Sequence, residues 1–301
     1  MFQPGEPCRV VVGVDGSPES VEAARYAADE AAARGVELLV VHAYAVGPTR
    51  DLPTTAASRA AAQRLVDDAL SHVPVAATTQ VRTIVTVAPA PALLTSLADE
   101  AVLLVLGRHR VDPAGGRPAG PVASAVAAEA RCPVVVVPAG WSRSVARDAH
   151  LGPGPVVVGT TDKASGTSVL RLAYDEAELR QASVLILHAS TAAEPATGLR
   201  AMSARTTAEF VAGQSLDHPD VAVDYRYVPG ETLLALVDLS SRARLMVLGR
   251  PRQQAGRLPW GRSVARAMLH RVRCPLMVVP PGTRPAPATD RAQVGTPVLV
   301  P

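Results

Sequence analysis

Four short segments of this chain occur twice, in the same order, and that duplication limits the possible folds more than any other feature. Val10-Val11-Val12-Gly13 returns as Val156-Val157-Val158-Gly159, and Leu39-Val40-Val41-His42-Ala43 returns as Ile186-Leu187-His188-Ala189. Leu104-Val105-Leu106-Gly107-Arg108 returns as Met246-Val247-Leu248-Gly249-Arg250, and Arg131-Cys132-Pro133-Val134 returns as Arg273-Cys274-Pro275-Leu276. The offset is about 146 residues for the first two pairs and about 142 for the last two, so the copies differ by only a few residues. At 301 residues the chain is expected to hold two domains of ordinary size, residues 1–142 and 155–282. A Gly- and Pro-bearing stretch at 143–154 reads as the linker, and 283–301 as a flexible tail.

Within each copy the order is strand, helix, strand, long helix, strand, helix, strand, glycine-rich loop, helix, strand. Residues 9–14, 37–42, 82–87, 102–106 and 134–137 are near-continuous aliphatic runs, the pattern of parallel strands covered on both faces. Residues 20–34, opened by Ser20 and closed by Gly35, and 58–71 carry helical spacing. The alternation predicts an α/β fold of two tandem doubly wound parallel-sheet domains, Rossmann-like, each of five strands and all ten strands buried. The composition agrees, with 48% apolar residues but only 3% aromatic, so the core is expected to be aliphatic. In such sheets a ligand sits at the carboxyl ends of the strands where strand order reverses. That points to Asp15, His42 and Gly107 in the first copy and to Thr161, His188 and Gly249 in the second.

Several classes of protein are excluded or disfavoured. Three cysteines are an odd number in a long chain, which fits a reducing compartment better than a disulfide scaffold. No run approaches the ~18 apolar residues of a spanning helix, and residues 1–7 lack the pattern of a signal peptide, so a cytoplasmic location without membrane contact is expected. The net charge of +3 comes from a small excess of arginine with no basic tail, which does not suggest nucleic-acid binding. Lys163 is the only lysine and follows Asp162, so a Walker A loop is absent.

The run Val12-Gly13-Val14-Asp15-Gly16-Ser17 sets a carboxylate just past a buried strand, with Gly16 permitting a sharp turn. Asp15 can accept hydrogen bonds from a ribose or an adenine amino group, or it can simply form a turn that opens the next helix. Gly107 begins a loop through Gly120 that leads into a helix at 122–130. Glycines and free helix N–H groups suit phosphate. The second copy has Gly249-Arg250-Pro251-Arg252, then Arg257, Gly261, Arg262 and Ser263, whose arginines could pair with phosphates or belong to a solvated loop. His42 and His188 read as packing histidines without metal partners, and Cys132 and Cys274 as inert apolar side chains. No catalytic triad or carboxylate pair is evident.

The opening Val-Val-Gly-Val-Asp-Gly-Ser motif, the strand end Val41-His42-Ala43, the run Leu104 to Gly107 and Cys132-Pro133-Val134-Val135-Val136-Val137-Pro138 together resemble a universal stress protein domain. The duplication resembles the tandem form of that family, across nearly all of 8–282. The resemblance implies an adenine nucleotide ligand, with ATP, and Mg accompanying it, as the possible cofactors. Members that hold ATP share a loop of the form Gly-x2-Gly-x9-Gly-Ser/Thr. The first copy keeps Gly107 and Gly120, but has Arg110 at the middle glycine and Pro121 at the hydroxyl position. The second keeps Gly249, with Arg252 at the middle glycine, Gly261 one residue early, Arg262 at the third glycine and Ser263 at the hydroxyl. Its first-strand motif has drifted to Thr160-Thr161-Asp162-Lys163. An arginine in such a loop either closes the site or substitutes a guanidinium for lost N–H contacts.

The resemblance thus marks Val14, Asp15, Val41, Gly107, Arg110, Gly120 and Val122 as nucleotide-binding candidates in the first copy, and Gly249, Gly261 and Ser263 in the second. It also implies that the last strands of the two domains pair, giving an internal pseudo-dimer that could pair again as a homodimer. The expected function is a nucleotide-binding regulatory module with the better site in the first copy. The alternatives are an interaction protein independent of nucleotide and a slow ATPase, for which no general base is evident.

Overall fold

The aliphatic runs become strands because branched side chains pack well on a pleated surface. The structure, a computed structural model, describes residues 9–44, 55–108, 121–148, 154–160, 166–190, 213–214, 217–229, 232–251, 260–261 and 263–283. Among them ten strands form one sheet. They are β1 (Arg9–Gly13), β2 (Glu37–Tyr44), β3 (Val81–Val87), β4 (Ala101–Gly107), β5 (Val134–Val137), β6 (Val156–Thr160), β7 (Val184–Ser190), β8 (Val223–Pro229), β9 (Leu245–Gly249) and β10 (Leu276–Val279). The order is β3-β2-β1-β4-β5-β10-β9-β6-β7-β8, so the second copy repeats the first in mirror sequence. Pairing is parallel within each half and antiparallel only between β5 and β10, where Met277 faces Val135.

Eight helices cover the sheet among the described residues: α1 (Pro18–Arg34), α2 (Thr55–Ser71), α3 (Ala90–Leu97), α4 (Pro121–Glu129), α5 (Trp141–Asp148), α6 (Gly166–Leu179), α7 (Thr232–Leu239) and α8 (Val264–Leu269). Alternate strand residues feed two apolar layers. Val10, Val12, Val158 and Met277 pack with α1, α2 and α6 on one face. Val11, Val157, Leu276 and Val278 pack with α3, α4, α7 and α8 on the other. Each layer runs without a break across both halves, so the duplicated units share both cores.

Some local expectations are corrected. Helix α1 is capped by Ser17, whose Oγ accepts from Ser20 N at 3.1 Å, so the helix starts at Pro18 rather than Ser20. A proline fits there because the first helical N–H has no intrahelical partner. Gly35 closes it with φ 65°, as anticipated. Helix α5 begins at Trp141 and runs into the 143–154 stretch, and Glu22 caps it by accepting from Ser142 N at 2.9 Å and Ser142 Oγ at 2.7 Å. Not all strands are buried. β3 and β8 are the sheet edges, with Arg82 and Arg226 exposed, and charged residues there discourage edge-to-edge pairing.

The seam between the halves is also held outside the sheet. Glu30 and Arg34 of α1 meet Glu176 and Arg180 of α6, and each arginine pairs with both carboxylates. Arg180 Nη2 also donates to Tyr26 OH at 2.7 Å. Burial opposes ionisation of Glu176, yet Arg34 and Arg180 hold its carboxyl below the ordinary value. Burial likewise opposes the charge on Arg34, but Glu176 and Glu30 outweigh it and raise the guanidinium pKa.

Candidate functional site

In the first half the chain leaves β1 toward β2 on one side and returns through β4 on the other, so strand order reverses at β1. A crevice forms outside the carboxyl ends at such a point. Register brings Gly13 opposite both Val41 of β2 and Leu106 of β4. Val14, Asp15, Val41 and Gly107 therefore gather at one end of three adjacent strands. Val14 N donates to Val41 O at 2.9 Å, which holds the two strand ends together.

Asp15 lies in the exposed turn after β1, where its Oδ1 accepts from Ser17 N at 3.0 Å and Ser17 Oγ at 2.5 Å. The carboxylate thus forms the helix-opening turn that the sequence left open as one of two readings. Gly16 has φ 83°, the left-handed region that favours glycine, and a Cβ there would also displace the Leu65 side chain, whose Cδ1 would lie 2.9 Å away. Gly107 has a different constraint. A Cβ there would lie 2.5 Å from the Glu19 carbonyl oxygen, because the end of β4 packs directly on the first turn of α1. This close approach leaves backbone, without side chains, at the mouth between β1 and β4. Val122 sits in the first turn of α4, which runs from the same carboxyl edge, and is half-buried against the α3–α4 layer. Arg110 and Gly120 lie outside the described residues, as do Thr161, Asp162, Lys163, Arg252, Arg257 and Arg262.

The second-half candidates do not join this group. Because β5 and β10 are antiparallel, the carboxyl ends of the second half's strands lie at the opposite edge of the sheet. Gly249 ends β9 there, and a Cβ would meet only Val169 Cγ2 at 3.1 Å. Ser263 is the N-cap of α8, with Oγ accepting from Arg266 N at 3.1 Å and donating to Trp260 O at 3.0 Å. The carbonyl of exposed Gly261 accepts from Arg266 Nη1 at 3.4 Å.

The histidines and cysteines are integrated into the fold. His42 Nδ1 lies 2.7 Å from Val14 O, and since a carbonyl only accepts, that nitrogen carries the proton. His188 is buried beside Tyr225 and Tyr227 at ring distances of 6.4 and 6.0 Å. Burial pushes the Cys132 and Cys274 thiols up to about 12, so neither forms a thiolate near neutral pH.

Two arginines go where sequence reasoning did not look. Arg108, next to Gly107, reaches across the seam, and its Nη1 donates to Val272 O at 2.5 Å, just past α8. Arg250, next to Gly249, mirrors it. Its Nη1 donates to Ala130 O at 2.8 Å and Ala127 O at 3.3 Å at the end of α4. Arg250 thus bonds helix-terminal carbonyls of the other half, instead of standing in a solvated loop. The signal was present as the glycine–arginine pair repeated at the same offset, but its target depends on the antiparallel docking of the halves.

Two halves, each a parallel sheet covered by helices on both faces, with strand order reversing at β1 in the first and at β6 in the second, define a tandem α/β protein of the doubly wound type. The chain matches the Universal stress protein family over residues 8–138 and 154–280, and it belongs to that family. It is 30% identical over 260 residues to universal stress protein Rv2623 of Mycobacterium tuberculosis, covering 80% of this chain and 85% of that protein. It is 32% identical over 292 residues to Rv2028c of the same organism, covering 93% of this chain and 98% of that one. The fold resembles the crystal structure of a universal stress protein from Archaeoglobus fulgidus with TM-score 0.68 at 15% identity, covering 91% of this chain and 98% of that one. No helix among the described residues is long and apolar enough to cross a membrane.

Proposed function

We propose that the chain is a cytoplasmic regulatory module that binds one adenine nucleotide, ATP, at the β1–β4 switch point of its first half, while the second half no longer binds. The observation that carries this reading is the contrast between equivalent positions. In the first half, Gly107 meets the α1 backbone and Asp15 stands at the strand end with Gly16 and Ser17. In the second, Thr161-Asp162-Lys163 replaces the Asp-Gly-Ser motif, and the Ser263 hydroxyl is engaged in capping a six-residue helix.

The residues fit the group in stated roles. Asp15 would accept from the ribose or the adenine amino group, and Val14 and Val41 would flank the base. The first-turn N–H groups of α4, beginning after Pro121, would face the phosphates. Nothing in these roles breaks a bond, and the described residues hold no positioned base for hydrolysis, so binding rather than turnover is the activity proposed.

The test is calorimetric titration of ATP into the intact chain and into Asp15→Ala. Loss of a charged acceptor should weaken binding by about tenfold. Ser263→Ala serves as the control, because it removes a helix cap in the second half, at the opposite edge of the sheet. Equal affinities for the wild type and Asp15→Ala, or the same weakening in Ser263→Ala, would remove Asp15 from the site. A wild-type chain that binds no nucleotide would favour the interaction-protein reading instead.

A further inference from the structure

We propose that Arg250, from the second half, is a positioning residue for the phosphate end of the first half's site: its guanidinium sets where α4 lies along its axis. The proposal rests on the nucleotide reading above. Helix α4 follows β4 and leads to β5, so its first turn lies at the carboxyl edge where Gly107 ends and its last turn at the opposite edge. Its buried face is Ala123, Val126 and Ala127. Only Val126 on that face is branched, and the two alanines interlock little with their neighbours, so apolar packing leaves part of the axial register to other contacts.

Polar contacts supply that register, and two of them come from the second half. Arg250 holds the carbonyls of Ala127 and Ala130, which end the helix, lack intrahelical donors and carry the negative end of its dipole. Trp260 Nε1 lies 3.4 Å from Ser124 Oγ on the same helix. Arg250 is itself fixed, since its backbone N donates to Val279 O of β10 at 2.7 Å. With nine residues, α4 is about 13 Å long, and a displaced last turn carries the first turn with it. The mirror contact from Arg108 to Val272 holds α8, but α8 has only six residues and its N-terminus is already capped by Ser263. The two arginines are equivalent in geometry, and only Arg250 serves the helix that opens on the site proposed to bind.

The experiment compares the intact wild-type chain with Arg250→Met, which keeps the aliphatic stem, and Arg250→Lys, which keeps the charge. Each is titrated with ATP and with adenosine, which has no phosphates for α4 to meet. Arg250→Met is expected to bind ATP about tenfold more weakly while adenosine affinity changes less than about twofold, and Arg250→Lys is expected to recover part of the loss. A purely structural role would weaken both ligands alike. Equal weakening of both, or unchanged ATP affinity, overturns the assignment and leaves the nucleotide reading standing. A wild-type chain that binds neither ligand overturns both. If Arg250→Met does not fold, Trp260→Phe removes the second grip on α4, and the absence of a selective loss for ATP there overturns the assignment as well.

Discussion

Four charged side chains meet at the seam, Glu30 and Glu176 buried and Arg34 and Arg180 half-buried, which is tolerable only because each arginine meets two carboxylates. Removing one member leaves the others uncompensated. Glu176→Ala is expected to lower stability by about 3 kcal/mol in denaturant unfolding. The wild type should also show a pH dependence that the variant loses. The Glu176 carboxyl is held below its ordinary value near 4.5, so its stabilisation is complete above that value and disappears as pH falls through the lower folded value. Between about pH 5 and 3 the wild type should lose stability more steeply than Glu176→Ala, and parallel curves would contradict this account. The square was legible in principle, since Glu-x3-Arg recurs on α1 and α6 at the offset of the first strands. Sequence alone does not reveal it, because an i,i+4 pair on an amphipathic helix usually faces water, and only tertiary docking brings the two pairs together.

At the scale of elements, the strands and helices follow from the sequence because aliphatic runs and helical spacing agree with local propensity. The ends of elements were less legible. Ser17 competes with Ser20 as a cap, and Pro18 between them decides for Ser17 because its fixed φ suits the first helical position. Past their first residue the edge strands carry charged side chains that the central strands lack there, Arg82 in β3 and Asp224 and Arg226 in β8, but only the strand order shows that both lie at the margins of the sheet. Glycine roles divide the same way. Both Gly107 and Gly249 end a strand before a loop, yet Gly107 abuts backbone and Gly249 a side chain that can rotate. Gly107→Ala should therefore cost more than about 2 kcal/mol and Gly249→Ala less than about 1 kcal/mol in thermal or denaturant unfolding. Similar costs would mean that the close contact of β4 with α1 is not what fixes Gly107.

At the scale of the molecule, duplication produced a pseudo-dimer in which the halves share one ten-stranded sheet and two continuous cores. The pairing of last strands was legible through family resemblance, because Val134–Val137 and Leu276–Val279 are too apolar to remain edges. The reciprocal arginines were not, since an arginine beside a glycine loop reads equally well as a phosphate ligand. With the halves docked, their roles separate. The first keeps the turn and close approach proposed to receive a nucleotide, and the second contributes Arg250 and Trp260 to the helix beside it. The most direct measurement of this division is the stoichiometry of ATP binding to the intact chain by calorimetry. One nucleotide per chain, abolished or strongly weakened by Asp15→Ala, is the result expected. Two nucleotides per chain, or one that persists undiminished in Asp15→Ala, would contradict it.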